Sequence, residues 1–264
     1  MSLQASYCDY DPDVVDLPAL ALNVDVAAKE SEMPVHRHRK GQLVLALRGG
    51  VTCEVSDALW MVPPQCGVWI PGGMRHSNRA TANARICFLF VEPGATDLPD
   101  TCCTLSISPL VREMILYLAG VDPQGGYDAH TRRLVRVLLD ELARMPVEQL
   151  HWAIAGDPKV RRIARALVRD PADRRGLAQW ADRVAMSERS LARLIVKETG
   201  LSFGRWRQQL HLIVALRQLA AGMSVQQVSA ELGYESVTAF ITMFKKSLGR
   251  PPAKYFAALK DGGD

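Results

Sequence analysis

His36 and His38 stand one residue apart in "PVHRHRKGQLVLALRGG", Pro34 to Gly50, just ahead of an apolar run broken by glycines. On a β-strand, residues i and i+2 point to the same face, so this spacing can aim two imidazoles at one point. Two chemistries are open at that point: ligation of a metal ion, or a polar rim on a cavity that takes a small molecule. A second group of chemistry-bearing residues lies far downstream. Helical stretches from Ser187 and Ser236 each pair an apolar inner face with basic or polar outer positions. Arginine on such a face can pair bidentately with guanine, and lysine or backbone N–H groups can hold phosphates.

The elements that position these residues are legible as two kinds of pattern. From about 17 to 93, short apolar stretches ("LVLAL", "VTCEV", "LWMV", "GVWI", "ARICFLFV") alternate with Gly, Pro, Asn and Asp, which predicts an antiparallel barrel or sandwich. Near Pro109 the period becomes helical. One helix carries Leu110, Met114, Ile115 and Leu118, the next Leu134, Val137, Leu138 and Leu142, and an intersubunit contact competes with ordinary core packing for these stripes. "PVEQLHWAIAGDP", Pro146 to Pro158, reads as a linker, ending in an Asp157 cap with proline at the first helical position. Beyond it everything to Phe256 reads as helices joined by short turns. Ser187 and Ser236 cap two of them, with Leu191, Leu194, Ile195 and Phe240, Ile241, Phe244 as their inner anchors.

At 264 residues and 48% hydrophobic content, the chain suits two soluble domains. No apolar run reaches a membrane span, the acidic start is unlike a signal peptide, and six cysteines without a CxxC fit a reduced cytoplasm. The net charge of +4 is unevenly distributed. From Asp157 onward there are 19 Lys+Arg against 10 Asp+Glu, and the first 156 residues hold 13 against 18. A polyanion partner is therefore expected for the C-terminal part alone.

"LAQWADRVAMSERSLARLIVKETGLSFGRWRQQLHLIVALRQLAAGMSVQQVSAELGYESVTAFITMFKKSLGRPPAKY" resembles the AraC/XylS-type DNA-binding domain over roughly the last 100 residues. The specific marks are "MSERSLARLIVKETGLSF", "VSAELGYES" and "FKKSLGRPPAKY". The resemblance implies two helix-turn-helix units on one connecting helix, bound to successive major-groove segments. Carried over by position, Arg189, Ala192 and Arg193 would face bases from the first recognition helix, and Thr238 and Thr242 from the second. Family members often have Arg or Gln where this chain has those threonines, so the second unit is expected to read bases weakly. Lys197, Lys245, Lys246 and Arg250 would contact the DNA backbone.

"HRHRKGQLVLALRGG" and "CGVWIPGGMRHSN" together resemble the two cupin motifs, over about residues 17–93, as found in arabinose-binding-like domains joined to AraC-type readers. The first motif supplies His36, His38, Gln42 in place of the usual Glu, and a glycine turn at Gly49. The second supplies Gly67, Pro71, Gly73 and His76. Three imidazoles can hold Zn, Ni or Fe(II), and a carboxylate would complete the usual set for oxygen chemistry. Gln42 offers only a neutral amide. His36, His38, Gln42 and His76 are thus expected to line an effector pocket, with a divalent metal on His36, His38 and His76 as the alternative occupant.

The expected fold is α+β: a cupin-like antiparallel β-barrel (1–105), dimerisation helices and linker (106–156), and an all-α domain with two helix-turn-helix units (157–264). The expected function is that of a cytoplasmic, homodimeric transcriptional regulator or activator with no catalytic residue. Its partners would be double-stranded promoter DNA, a small-molecule effector and RNA polymerase, and none would be a membrane. Relatives sharing the cupin pattern suggest control of a neighbouring transporter or efflux gene. A cupin metalloenzyme, dioxygenase or isomerase, with a helical tail is the alternative, and a constitutive architectural DNA-binding protein a third.

Overall fold

A computed structural model describes residues 10–27, 31–55, 58–62, 65–82, 84–148, 151–153 and 156–260. The chain divides into two compact units, Met1–Ser56 with Trp60–Leu150, and Asp57–Leu59 with His151–Asp264.

The first unit holds β1 (Ala19–Asp25), β2 (Ser31–His36), β3 (Gly41–Arg48), β4 (Val51–Val55), the Trp60 and Met61 end of β5 (Ala58–Met61), β6 (Cys66–Ile70), β7 (His76–Ala80), β8 (Arg85–Val91), β9 (Cys103–Ser106) and β10 (Val147–Glu148). One sheet runs β1-β8-β3-β6-β9-β10 and a second includes β5-β4-β7-β2 in that order. Their recorded pairings are antiparallel. Strand alternation gives the first sheet two buried faces. Gln42, Val44, Ile70, Phe88 and Phe90 point to one of them, in cross-strand register. The second sheet buries His76, Asn78 and Ala80 on β7, and the contact between Gln42 and His76 shows that these two faces oppose each other. On the opposite face of the first sheet, Gly41 leaves room for Trp69, since a Cβ there would fall 2.1 Å from the Trp69 ring. Gly49 takes a positive φ of 75° at the turn expected of it, and Gly73, a position of the second cupin motif, takes 78°.

The other face of the first sheet carries Ala19, Ala21, Leu43, Leu45, Cys87 and Leu89. Two helices, α1 (Pro109–Leu118) and α2 (Ala129–Leu142), belong to the same core cluster. Ser108 and Asp128 cap them by accepting from the amides of Val111 and Thr131. The residues turned toward the sheet are Val111, Ile115 and Leu118 on α1, and Val135, Leu138, Leu139 and Leu142 on α2. Of the expected stripes, Ile115, Leu118, Leu138 and Leu142 are therefore intramolecular core, while Leu110 and Val137 are exposed. Periodicity identifies an apolar stripe, but the sheet decides which of its residues are covered.

The second unit contains, among the described residues, β11 (His151–Ala153) and the helices α3 (Pro158–Arg169), α4 (Leu177–Arg183), α5 (Glu188–Thr199), α6 (Phe203–Ala220), α7 (Val225–Glu231), α8 (Val237–Leu248) and α9 (Pro252–Lys260). Asp157 caps α3 through the amides of Lys159 and Val160, as its sequence predicts. The expected linker is corrected in part. It contains two short strands, β10 and β11, although residues 149, 150, 154 and 155 lie outside the described set. Within the second unit, Trp152 is fully buried and stacks on Trp206 at 4.8 Å, and its Nε1 donates to the Trp206 carbonyl at 2.7 Å. A large aromatic surface buried in this way makes the segment part of a core.

Candidate DNA-reading face and effector pocket

Each helix-turn-helix unit is built from local signals. In α5, Ser187 accepts from the Ser190 amide, and Gly200 ends the helix at φ 73°. In α8, Ser236 accepts from the Ala239 amide, and Gly249 ends the helix at φ 74°. Leu191 and Ile195 bury the inner face of α5 and Leu194 is half-buried. In α8 the buried residues are Phe240, Met243 and Phe244, so Met243 takes the place expected of Ile241, which is only half-buried. Between the units, α6 buries nine of its residues, Trp206, Leu210 and Ile213 among them, and serves as an internally packed spacer.

The proposed readers lie on the outer faces. Arg189, Arg193 and Lys197 are exposed at successive i, i+4 positions of α5, with Ala192 half-buried beside them. Thr238, Thr242, Lys245 and Lys246 are exposed on α8, and Arg250 is exposed just beyond it. The Thr242 hydroxyl donates to the Thr238 carbonyl at 2.8 Å, so one of the two threonines already spends its donor within the helix. Sequence reading missed His211 on α6. Its Nε2–H donates to the Pro171 carbonyl at 2.9 Å, which leaves Nδ1 to accept from the Tyr234 hydroxyl at 3.1 Å. That ring ties three segments of the second unit together, and burial keeps it neutral by pushing its pKa down to about 4.

These two faces predict unequal loss on truncation. Arg193→Ala is expected to weaken promoter binding by about 1–3 kcal/mol and relax preference at one base pair. Thr242→Ala should cost much less and leave sequence preference intact. Binding isotherms against single-base operator variants test this, and equal loss of preference at both positions would refute the asymmetry.

In the first unit the three histidines come together. The ring centroids of His36 and His76, a cross-strand pair, are 4.2 Å apart, those of His38 and His76 5.1 Å, and those of His36 and His38 5.8 Å. Their ligand nitrogens lie within 4.8 Å of one another. Strand alternation explains less of this than expected. β2 ends at His36, and His38 reaches the group from the following loop. Each Nδ1 faces a backbone carbonyl: Pro34 for His36 at 2.9 Å, Lys40 for His38 at 2.6 Å and Met74 for His76 at 2.9 Å. A carbonyl only accepts, so each Nδ1 carries the proton and each Nε2 keeps its lone pair in the neutral ring. Burial holds His76 neutral, with a pKa of about 4, and lowers that of His36.

The Gln42 side-chain amide stands 2.9 Å from Nε2 of both His38 and His76. The Gln42 atom facing both rings is Oε1, an acceptor, so rings protonated at Nδ1 call for the amide to turn over and offer its NH₂ group, which has two hydrogens to give. Phe90 closes one side, its ring edge-on to His38 at 5.4 Å. Sequence reading also missed a buried brace beside the pocket. Lys40, fully buried, donates through Nζ to the Val15 carbonyl at 2.9 Å and pairs with Glu92 at 2.7 Å, while Asp13 accepts from the amides of Arg39 and Lys40. Lys40 lies inside the histidine motif, yet its partners are distant in sequence.

The helix-turn-helix domain family matches residues 180–258. Over 250 residues the chain is 55% identical to the HTH-type transcriptional regulator NimR of Escherichia coli (strain K12), covering 95% of this chain and 92% of that one. It is 36% identical over 129 residues to an AraC-like transcription regulator of Streptomyces lividans, covering 46% and 41% of the two chains. Among solved structures, ToxT of Vibrio cholerae aligns over 92% of this chain and 98% of its own at 11% identity and a TM-score of 0.39. The second unit, with its paired capped helices, thus falls in the class of helix-turn-helix transcription regulators. The chain belongs to the AraC/XylS family. No helix among the described residues is long and apolar enough to cross a membrane.

Proposed function

We propose that this protein is a one-component regulator in which a small molecule held in the barrel of the first unit changes occupancy of a promoter by the second. The observation that carries this reading is α5: a capped helix with Leu191 and Ile195 buried and Arg189, Arg193 and Lys197 exposed, in a chain 55% identical to a transcription regulator along nearly its whole length. His36, His38, Gln42 and His76 form the effector pocket in this reading, and Arg189, Ala192, Arg193, Thr238 and Thr242 read bases. Lys197, Lys245, Lys246 and Arg250 grip phosphates. A homodimer forms through the exposed apolar residues of α1 and α2, namely Leu110, Tyr117 and Val137, and the bound dimer acts on RNA polymerase in the cytoplasm. A neighbouring transporter gene is the first promoter to examine.

A divalent metal fits the same three histidines. Their Nδ1–H groups are held by carbonyls, which orients the rings and leaves neutral nitrogen donors, the pattern of metal-ligating imidazoles with supporting partners. His36, His38 and His76 would hold the ion, which would supply a Lewis-acidic attachment point for the effector. Gln42 contributes no carboxylate, and this favours sensing over the alternative of a cupin metalloenzyme.

The test uses the full-length protein and its own promoter fragment. Specific binding should fall steeply with salt as counterions are released. An effector can move that binding only through different affinities for the two states, so His38→Ala and His76→Ala should shift the half-maximal effector concentration by about tenfold or more. DNA affinity without effector should stay unchanged. Absence of salt-sensitive specific binding would reject the regulator reading. A stoichiometric redox metal with oxygen-dependent turnover would favour the enzyme.

A further inference from the structure

Four side chains of the histidine pocket aim acceptor atoms inward, and none of them is charged. The rings of His36, His38 and His76 hold their protons at Nδ1 against the carbonyls of Pro34, Lys40 and Met74, which leaves a lone pair on each Nε2. The Gln42 amide stands 2.9 Å from two of those nitrogens and has two useful orientations. With NH₂ inward it donates to both rings. With Oε1 inward it joins the three imidazoles in offering lone pairs, and what satisfies such a set is a cation.

The loops that deliver the histidines fix this set in place. The Gly73 amide donates to the His38 carbonyl at 2.7 Å, and a Cβ on Gly72 would fall 2.0 Å from the Arg39 carbonyl oxygen, so the two loops interlock. The carboxylates that hydrogen-bond to these loops are already committed. Asp13 accepts from the amides of Arg39 and Lys40, and Glu92 pairs with both of those side chains. The same loops carry Arg37 and Arg75, both exposed and, among the described residues, joined to no carboxylate. A divalent ion on three neutral imidazoles and a neutral amide would keep its whole charge in a partly buried site, where an uncompensated charge is costly. A carboxylate at position 42 would cancel half of it, and an amide cancels none. Resting on the reading of this pocket as the effector site, we propose that it takes an anionic effector. A divalent ion on His36, His38, His76 and the Gln42 Oε1 binds the anionic group of a small molecule, and Gln42 is the residue that sets this preference.

Visible absorption of the full chain loaded with Co(II) tests this, with acetate as the anionic probe and acetamide, of the same shape, as the neutral one. The wild type should bind Co(II) stoichiometrically, and His76→Ala should lose it. Acetate should perturb the Co(II) bands with an affinity about tenfold or more above that of acetamide. Gln42→Glu should bind Co(II) more tightly and acetate more weakly, each by about tenfold or more, while the neutral Gln42→Ala should keep acetate binding within about threefold of the wild type. Circular dichroism checks that each variant is folded, and if Gln42→Glu is not, the comparison of acetate with acetamide on the wild type decides. Four results would each overturn the proposal: no Co(II) binding by the wild type, Co(II) retained by His76→Ala, equal affinity for acetate and acetamide, or undiminished acetate binding by folded Gln42→Glu. The regulator reading would fail by a different result, the absence of salt-sensitive promoter binding, which none of these measures.

Discussion

Leu138→Glu will unfold the first unit, whereas Val137→Glu, one residue away, will leave it folded and separate the proposed dimer. Leu138 is fully buried within the cluster formed by the first sheet, α1 and α2. A carboxylate there has no partner in the apolar cluster, and moving it from water costs several kcal/mol even when it escapes by taking up a proton. The packing lost with the leucine adds roughly 2–5 kcal/mol. Together these consume most of the roughly 5–15 kcal/mol that ordinarily holds a domain together. Val137 is 48% exposed, so a glutamate at that position stays in water in the monomer. It meets a desolvation cost only where a second copy covers α2. Circular dichroism should show a lost or strongly shifted transition for Leu138→Glu and a wild-type one for Val137→Glu. Light scattering should give the monomer mass for Val137→Glu at concentrations where the wild type is dimeric. A folded Leu138→Glu protein would contradict the packing of α2, and a monomeric wild type would end the dimer proposal.

Trp152→Ala is expected to destabilise the second unit by about 3–5 kcal/mol, the usual range for a large aromatic lost from a core. Trp152 is fully buried, stacks on Trp206 with an interplanar angle of 15°, and its indole N–H satisfies a carbonyl at the start of α6. Truncation removes the ring contact and leaves the Trp206 carbonyl without that donor. For the same reason, a DNA-binding fragment begun at Asp157 should be less stable than one begun at His151. Urea titration of the two fragments and of the substituted full-length chain measures the effect. A change below about 1 kcal/mol would mean that the second unit is complete without β11.

Much of the reading face was legible because its determinants are local. Ser187, Ser236 and Asp157 cap helices through amides two or three residues away, and Gly200 and Gly249 end them in the left-handed conformation. The exposure of Arg189, Arg193 and Lys197 follows from helical period alone, given Leu191 and Ile195 beneath. The succession of short strands before Pro109 was likewise readable from alternation and turn residues. In the histidine pocket, spacing singled out His36 and His38, and the resemblance to the cupin motifs added Gln42 and His76. It did not identify the loop that delivers His38 or the carbonyls that orient the three rings.

What only the tertiary structure decided is where distant segments meet. Leu138 and Val137 are adjacent and equally apolar, and the difference between core and surface comes from the sheet that covers one and not the other. Met243 is buried where Ile241 was expected to be, because packing depends on the neighbouring helices and not on hydropathy. Trp152 stands in a stretch whose composition reads as linker, yet its partner lies 54 residues onward. Gln42 and His76 meet because their two sheets face each other, an arrangement set by pairing between strands far apart in the chain and by no local pattern.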